Sequence, residues 1–154
     1  MRKKDCERDA SFALELLRNC EYATLATINP DGTPYCIPVS LVVIDGAVYF
    51  HGALEGQKVT NLAANSAVCI SGVGYTKLVP EKFTTEYESA VVSGICVAVT
   101  DETEKTEMMR VFCEKYAQES MHKFERIMSR MLAVTGVFKI QVTEATGKAL
   151  RYAP

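Results

Sequence analysis

No run of residues in this chain approaches the roughly 18–20 consecutive apolar positions that a membrane-crossing helix needs, and residues 1–9 run into charges where a signal peptide has its apolar core. A cytoplasmic protein with no membrane partner is expected. Charge of one sign is also missing. The 17 basic side chains face 19 acidic ones, a net charge of -2, too balanced for the broad positive footprint that sequence-independent nucleic-acid binding requires. No nucleic-acid partner is expected. Closely paired cysteines are absent, because Cys6, Cys20, Cys36, Cys69, Cys96 and Cys113 lie 14 or more residues apart. They read as buried free thiols. Only His51 and His122 could join them at a metal, and zinc ligands usually arrive in close pairs, so no metal site is expected. Repeats and Pro/Gly/Ser linkers are lacking too. With 154 residues, 48% of them hydrophobic and 23% charged, the chain fits one domain over 1–154.

What is present is a series of short elements. Residues 11–19 place Phe12 and Leu16, with Ala13 and Leu17, on one helical face behind Ser11 as a cap. Residues 22–28 are rich in strand formers, Asn29-Pro30-Asp31-Gly32 supplies turn chemistry, and strand resumes over 33–44. Pro38 lies in that second strand and cannot donate to a ladder, so one side of it must be unpaired, bulged or occupied by something other than a strand. Asp45-Gly46 then marks a type I′ hairpin into strand 47–50.

A helix over 57–65 with Val59, Leu62 and Ala63 on one face, a strand over 67–73, and a long strand over 89–99 interrupted by Gly94 follow. Thr100 or Asp101 caps a helix over 102–119 bearing Met108, Val111, Phe112, Lys115 and Tyr116 at helical spacing. Residues 121–132 read as helix, and 134–143 as a half-buried last strand. Met108, Met109, Met121, Met128 and Met131 read as core and dimer packing, and His122 as a surface or interface residue. About six strands joined by hairpins favour a mainly β fold with short helices, a small antiparallel barrel rather than a doubly wound sheet.

Chemistry concentrates where strand Tyr49-Phe50-His51 feeds Gly52-Ala53-Leu54-Glu55-Gly56-Gln57-Lys58 into a helix. A helix N-terminus offers unpaired N–H groups and a partial positive charge, Gly56 permits close backbone approach and Lys58 adds a full charge. A phosphate-sized anion fits such a place, and a plain glycine turn with a solvated lysine explains the same letters.

The context widens the signal. Residues 33–42, Asp45-Gly46, Tyr49 to Ala53, Glu55 to Lys58, Leu62, Asn65 and Val68-Cys69 resemble the signature of the split-barrel FMN-binding family that contains pyridoxamine phosphate oxidase. Within it they are most similar to the Nim-type nitroimidazole-resistance proteins. Tyr87-Glu88-Ser89-Ala90-Val91-Val92-Ser93-Gly94 and Thr146-Gly147-Lys148 extend the resemblance over nearly the whole chain.

The resemblance implies a homodimer of six-stranded antiparallel split β-barrels holding FMN at the subunit interface. The strand Pro38-Val39-Ser40 then lies along the flavin ring. Lys58, with nearby polar groups such as Gln57, binds the phosphate, His51 and Gly52 are further cofactor-binding candidates, and the partner subunit supplies the segment that holds Phe83, Tyr87 and Ser89. The sequence departs from the flavin oxidases in having no arginine between Arg18 and Arg110, so Lys58 carries more of the phosphate charge. The second phosphate of a pyridoxamine phosphate substrate finds only Lys77 and Lys82 in the middle of the chain. His51 reads either as a satisfied hydrogen bond at a strand end or as a substrate-side residue, and Nim-type relatives carry a matching histidine near the cofactor.

The expected activity is that of an FMN-dependent oxidoreductase reducing small electrophiles such as nitro compounds, with electrons from a nicotinamide or a partner protein. His51 is the catalytic candidate. The alternative is a flavin- or haem-binding module that stores or senses its ligand, since one free imidazole suffices as an axial haem ligand.

Overall fold

Buried apolar side chains recur at every second position in several segments of the chain, and a sheet follows from that period. The computed structural model describes residues 3–152. In chain order they form β1 (Glu7–Arg8), α1 (Ala10–Asn19), β2 (Ala23–Ile28), β3 (Pro34–Val39), β4 (Leu41–Ile44), β5 (Ala47–Ala53), α2 (Gln57–Ala64), β6 (Ala67–Val79), β7 (Thr84–Ala98), α3 (Glu102–Tyr116), α4 (Phe124–Met131) and β8 (Thr135–Leu150). Every strand pairing is antiparallel. The strand order is β3-β2-β6-β7-β8-β5-β4, with β1 attached to β8.

The two ends of that path, β3 and β4, are consecutive in the chain and joined by Ser40 alone. The sheet therefore curls around one core, and its seam is closed by the covalent chain instead of a hydrogen-bonded ladder. Leu25, Val39, Leu41, Phe50, Ile70, Val92 and Ile140 meet inside, each from a different strand of the path, and α1 adds Ala13, Leu16 and Leu17. This is the mainly β, antiparallel split barrel expected from the sequence. The expected count of six strands becomes eight because residues 33–44 break at Ser40 and because β1 was not anticipated.

A second apolar cluster lies outside the barrel. Val42, Tyr49 and Val137 point outward from β4, β5 and β8 and are covered by Met108, Met109 and Phe112 of α3 and by Phe124 and Met128 of α4. Burial on both faces explains why Val137 and Phe138 are both buried although their side chains point oppositely. Gly94 marks a register shift between β7 and β8, as its position in the long strand suggested. Asp45 and Gly46 take φ of 49° and 77°, the conformation a type I′ turn demands.

Several local expectations are corrected. The cap of α1 is Asp9, whose carboxylate accepts from Phe12 N at 2.9 Å, so the helix starts one residue ahead of Ser11. Asp101 does cap α3, accepting from Glu104 N at 2.8 Å. Residues 118–123 form a 3-10 segment, so only the second part of 121–132 is α-helical. Ala63 is exposed, and the buried residue of α2 is Asn61. Cys36 is exposed and Cys69 and Cys113 are half-buried, so only Cys6, Cys20 and Cys96 are buried thiols. Met131 is exposed as well. Among the described residues no helix is long and apolar enough to cross a membrane.

Candidate functional site

A polar knot ties α2 to the turn between β2 and β3. Fully buried Asn61 donates to Thr27 Oγ1 at 2.9 Å and to Asn29 Oδ1 at 2.8 Å. Gln57 Nε2 donates to Asn29 Oδ1 at 3.0 Å and to Asn61 Oδ1 at 3.1 Å. A buried amide with its hydrogen bonds made is tolerated in the interior and fixes one arrangement of the elements it joins. The start of α2 is thereby aimed.

Gly56 precedes that start at φ 112°, a conformation side chains rarely adopt, and no side chain caps the helix. Val59 and Thr60 N–H return to Gly56 O at 3.0 and 3.1 Å, which leaves the N–H groups of Gln57 and Lys58 without an acceptor among the described residues. The Lys58 ammonium lies over Gly52, where a Cβ would stand 2.5 Å from Nζ. It has no ion pair or hydrogen bond among the described residues. A half-buried ammonium, two free N–H groups and the positive end of the helix dipole together form a cradle for an anion. Because the side-chain N–H groups of Gln57 are held by Asn29 and Asn61, what Gln57 presents there is its backbone N–H.

Strand alternation sends His51 to the opposite face from Gly52. His51 shares the outer face with Tyr49, and its ring meets Phe112 of α3 edge-on, with centroids 4.6 Å apart and planes at 69°. Its Nδ1 is buried without a hydrogen-bond partner among the described residues. Burial, and secondarily the charge of Lys58, hold the His51 pKa below the usual histidine range. The imidazole is neutral at neutral pH.

The remaining candidates lie on the barrel's outer wall. Register places Pro38, Thr24, Ser71 and Val91 in one row across β3, β2, β6 and β7, and Val73 and Ser89 in the next. β3 pairs only with β2, so the strand that holds Pro38 has the free side that its proline demanded. Val39 points into the barrel core, leaving its backbone alone for a ligand at that edge. Phe83 ends the 3-10 turn between β6 and β7 in a left-handed conformation, φ 48°, and is 99% exposed. Tyr87 lies beneath Lys148 Nζ, 5.2 Å from the ring centroid. One chain thus assembles Gly52, Gln57 and Lys58, sets Pro38, Tyr87 and Ser89 on one wall, and leaves Phe83 reaching away from all of them.

The family model described as pyridoxamine 5′-phosphate oxidase matches residues 9–149. The chain belongs to that family. Three solved structures illustrate the likeness. A candidate 5-nitroimidazole antibiotic resistance protein from Bacteroides thetaiotaomicron is 22% identical, with 92% of this chain and 84% of that one covered and a TM-score of 0.76. The flavocytochrome Anf3 from Azotobacter vinelandii is 21% identical, with 100% and 73% covered and a TM-score of 0.83. An FAD-binding protein from Mycobacterium smegmatis is 20% identical, with 95% and 99% covered and a TM-score of 0.66. No curated protein matches the chain.

Placed on this pyridoxamine 5′-phosphate oxidase family barrel, several site residues were not singled out from the sequence. Asn61 is recognisable only as a polar residue inside an apolar helical pattern, and Asn29 only as a turn former. Phe112 was read as one of a helical series, with nothing to say that it faces His51.

The depressed His51 pKa has a measurable consequence. Between the folded value and the unfolded value of about 6.5 the unfolded chain holds a proton that the folded chain refuses, so this residue's contribution to stability is complete above that range and falls as pH drops through it. An NMR titration of the His51 ring should therefore report a value below the usual one. Phe112→Ala should raise it by reducing burial, and Lys58→Met should raise it less. A His51 that titrates in the usual range would contradict the burial.

Proposed function

We propose that the cradle binds the phosphate of FMN, that the flavin ring lies along residues 38–40 at the free edge of β3, and that the protein is an FMN-dependent oxidoreductase acting on small electrophiles such as nitro compounds. The observation that carries this reading is the Lys58 ammonium over Gly52, without a partner among the described residues, at an uncapped helix start. These residues fit a phosphate: they present one full charge and two backbone donors. The names of the structural neighbours agree in kind, one tied to nitroimidazole resistance, one a flavocytochrome and one an FAD-binding protein. The bound flavin supplies the electron-transfer chemistry.

The chain's own residues bind and orient. Backbone groups at the β3 edge meet the ring's polar rim, and the barrel wall beside Pro38 excludes water from one side of it. His51, as a neutral imidazole with Nδ1 buried, offers a substrate its Nε2 edge alone and adds no charge that would repel a cation. The wall that carries Pro38 and Ser89 also exposes Val73, Val91, Ile95 and Val97, at 61, 43, 38 and 40%. A second copy of the chain covers that wall and brings its Phe83 hairpin over the flavin, since contiguous exposed apolar surface marks an association site.

Three measurements test these statements. Titration of FMN into the apoprotein should show Lys58→Ala weakening binding by about 1.5–3 kcal/mol, with little loss of folding stability. Gly52→Ala should act in the same direction by displacing the ammonium, and equal affinities for all three proteins would remove Lys58 from the site. Second, reduced flavin in the wild-type protein should be reoxidised by a nitro acceptor, and His51→Ala should slow that step while keeping FMN content. A tightly held flavin with no turnover would favour the storage or sensor module, and a Soret band in the fresh protein would favour haem. Third, sedimentation should give twice the 17.0 kDa chain mass. A monomer that retains FMN would contradict a shared site.

A further inference from the structure

Leu41, the first residue after the break at Ser40, faces the open seam of the barrel, yet its backbone is fully paired on that side. Its N–H donates to Tyr116 Oη at 3.0 Å, and the same hydroxyl donates to Leu41 O at 2.9 Å. Lys115 Nζ donates to Leu41 O at 2.9 Å and to Cys20 O at 2.7 Å. Two consecutive residues at the end of α3 thus replace the missing strand neighbour of β4, and one ammonium joins three elements, because Cys20 is the C-cap of α1. Lys115 has no carboxylate partner in this arrangement; its charge is met by two carbonyl dipoles and by the Tyr116 ring, 4.8 Å away. Hydrogen bonds from a charged donor are the stronger kind.

The same helix reaches the other part of the site. The Tyr116 ring stacks on Phe112 at 6.3 Å and 19°, and Phe112 meets His51. α3 therefore grips the β3–β4 break with one end of an aromatic row and walls His51 with the other.

We propose that Lys115 and Tyr116 are positioning residues that clamp the peptide at Ser40 and Leu41 to the end of α3, and so set the course of residues 38–40 against the flavin without touching it. This rests on the flavin reading given above. A chain link that closes a barrel by one residue has no ladder to fix it, and backbone that lines a ligand must keep its direction when the ligand is absent. The clamp supplies that direction. It also makes the spacing between Ser40 and His51 a property of one rigid helix.

The test has a flavin-free part and a flavin part, both on the full chain. In apoprotein, NMR hydrogen exchange at the Leu41 amide should be about tenfold faster or more in Tyr116→Phe and in Lys115→Met, while the amides of Ile70 and Val92 keep their wild-type rates. In the FMN titration the Kd of both variants should rise about tenfold, the size expected when a hydrogen bond that holds the site is lost, and the visible band of bound flavin should shift. Lys115→Arg, which keeps two donors, should restore both. An unchanged Leu41 amide overturns the clamp. Acceleration of all amides alike also overturns it, since the pair would then be merely structural. Faster Leu41 exchange with unchanged Kd and flavin band overturns the positioning role. A wild type with no affinity for FMN removes the flavin reading and the positioning role with it, whereas the exchange data alone still decide the clamp.

Discussion

One continuous stretch of chain, residues 33–44, has to serve both edges of the same sheet. Its first half is held by β2 and its second half by β5, and the two partners stand next to opposite ends of the strand path. No ladder can form across the join, because the two halves follow each other in sequence and do not run side by side. The barrel is thus closed by a peptide link at Ser40, and everything near that link must find its hydrogen bonds elsewhere. Pro38, which has no N–H to satisfy, is tolerated on one side of it. Leu41, which has both groups to satisfy, is met by side chains of α3 on the other.

β5 is the second organising element because its two faces do different work. Phe50 and Gly52 face inward, toward the core and the Lys58 ammonium, and Tyr49 and His51 face outward, toward α3. Phe50 stacks on Phe138 at 5.0 Å and 13°, which fixes the strand beneath both neighbours. An anion held over Gly52 and a substrate held against His51 would be separated by the thickness of one strand. Lys58 is still near enough to depress the His51 pKa, although burial is the larger cause.

Much of this was legible in the sequence where the signal is local. Asp45-Gly46 fixes its own turn, Gly94 announces its bulge, and Pro38 declares a free strand edge. The glycines ahead of α2 and Lys58 in its first turn mark a candidate anion site because helix ends and charges act within a few residues. What was hidden depends on pairing between distant segments. Residues 33–44 look like one strand because alternation does not reveal a change of partner. β6 and β7 run on to Val79 and back from Thr84, beyond the expected ends, because each long strand supports the other through residues of low apolar content such as Thr76, Lys77 and Glu86. Asp9 displaced Ser11 as the cap although both residue types suit the role; Ser11 Oγ instead donates to the Asp9 carboxylate at 2.8 Å. Asn61, Phe112, Lys115 and Tyr116 became site residues only when their partners, more than 30 residues away in each case, were brought to them.

The excursion formed by α3 and α4 leaves the sheet after β7 and re-enters at β8, and these two strands are neighbours with an extensive ladder. Val99 N–H donates to Val137 O at 2.8 Å just beyond the end of that ladder, so the exit and the re-entry are stitched together at the base. An excursion with abutting ends leaves the ladder beneath it intact, because its exit and re-entry are already held side by side. The excursion is nevertheless tied back to the barrel at a second place, where Lys115 and Tyr116 meet Leu41 and Phe112 meets His51. A shift of α3 along its axis would therefore move the seam and the His51 wall together while the β7–β8 ladder stayed in place.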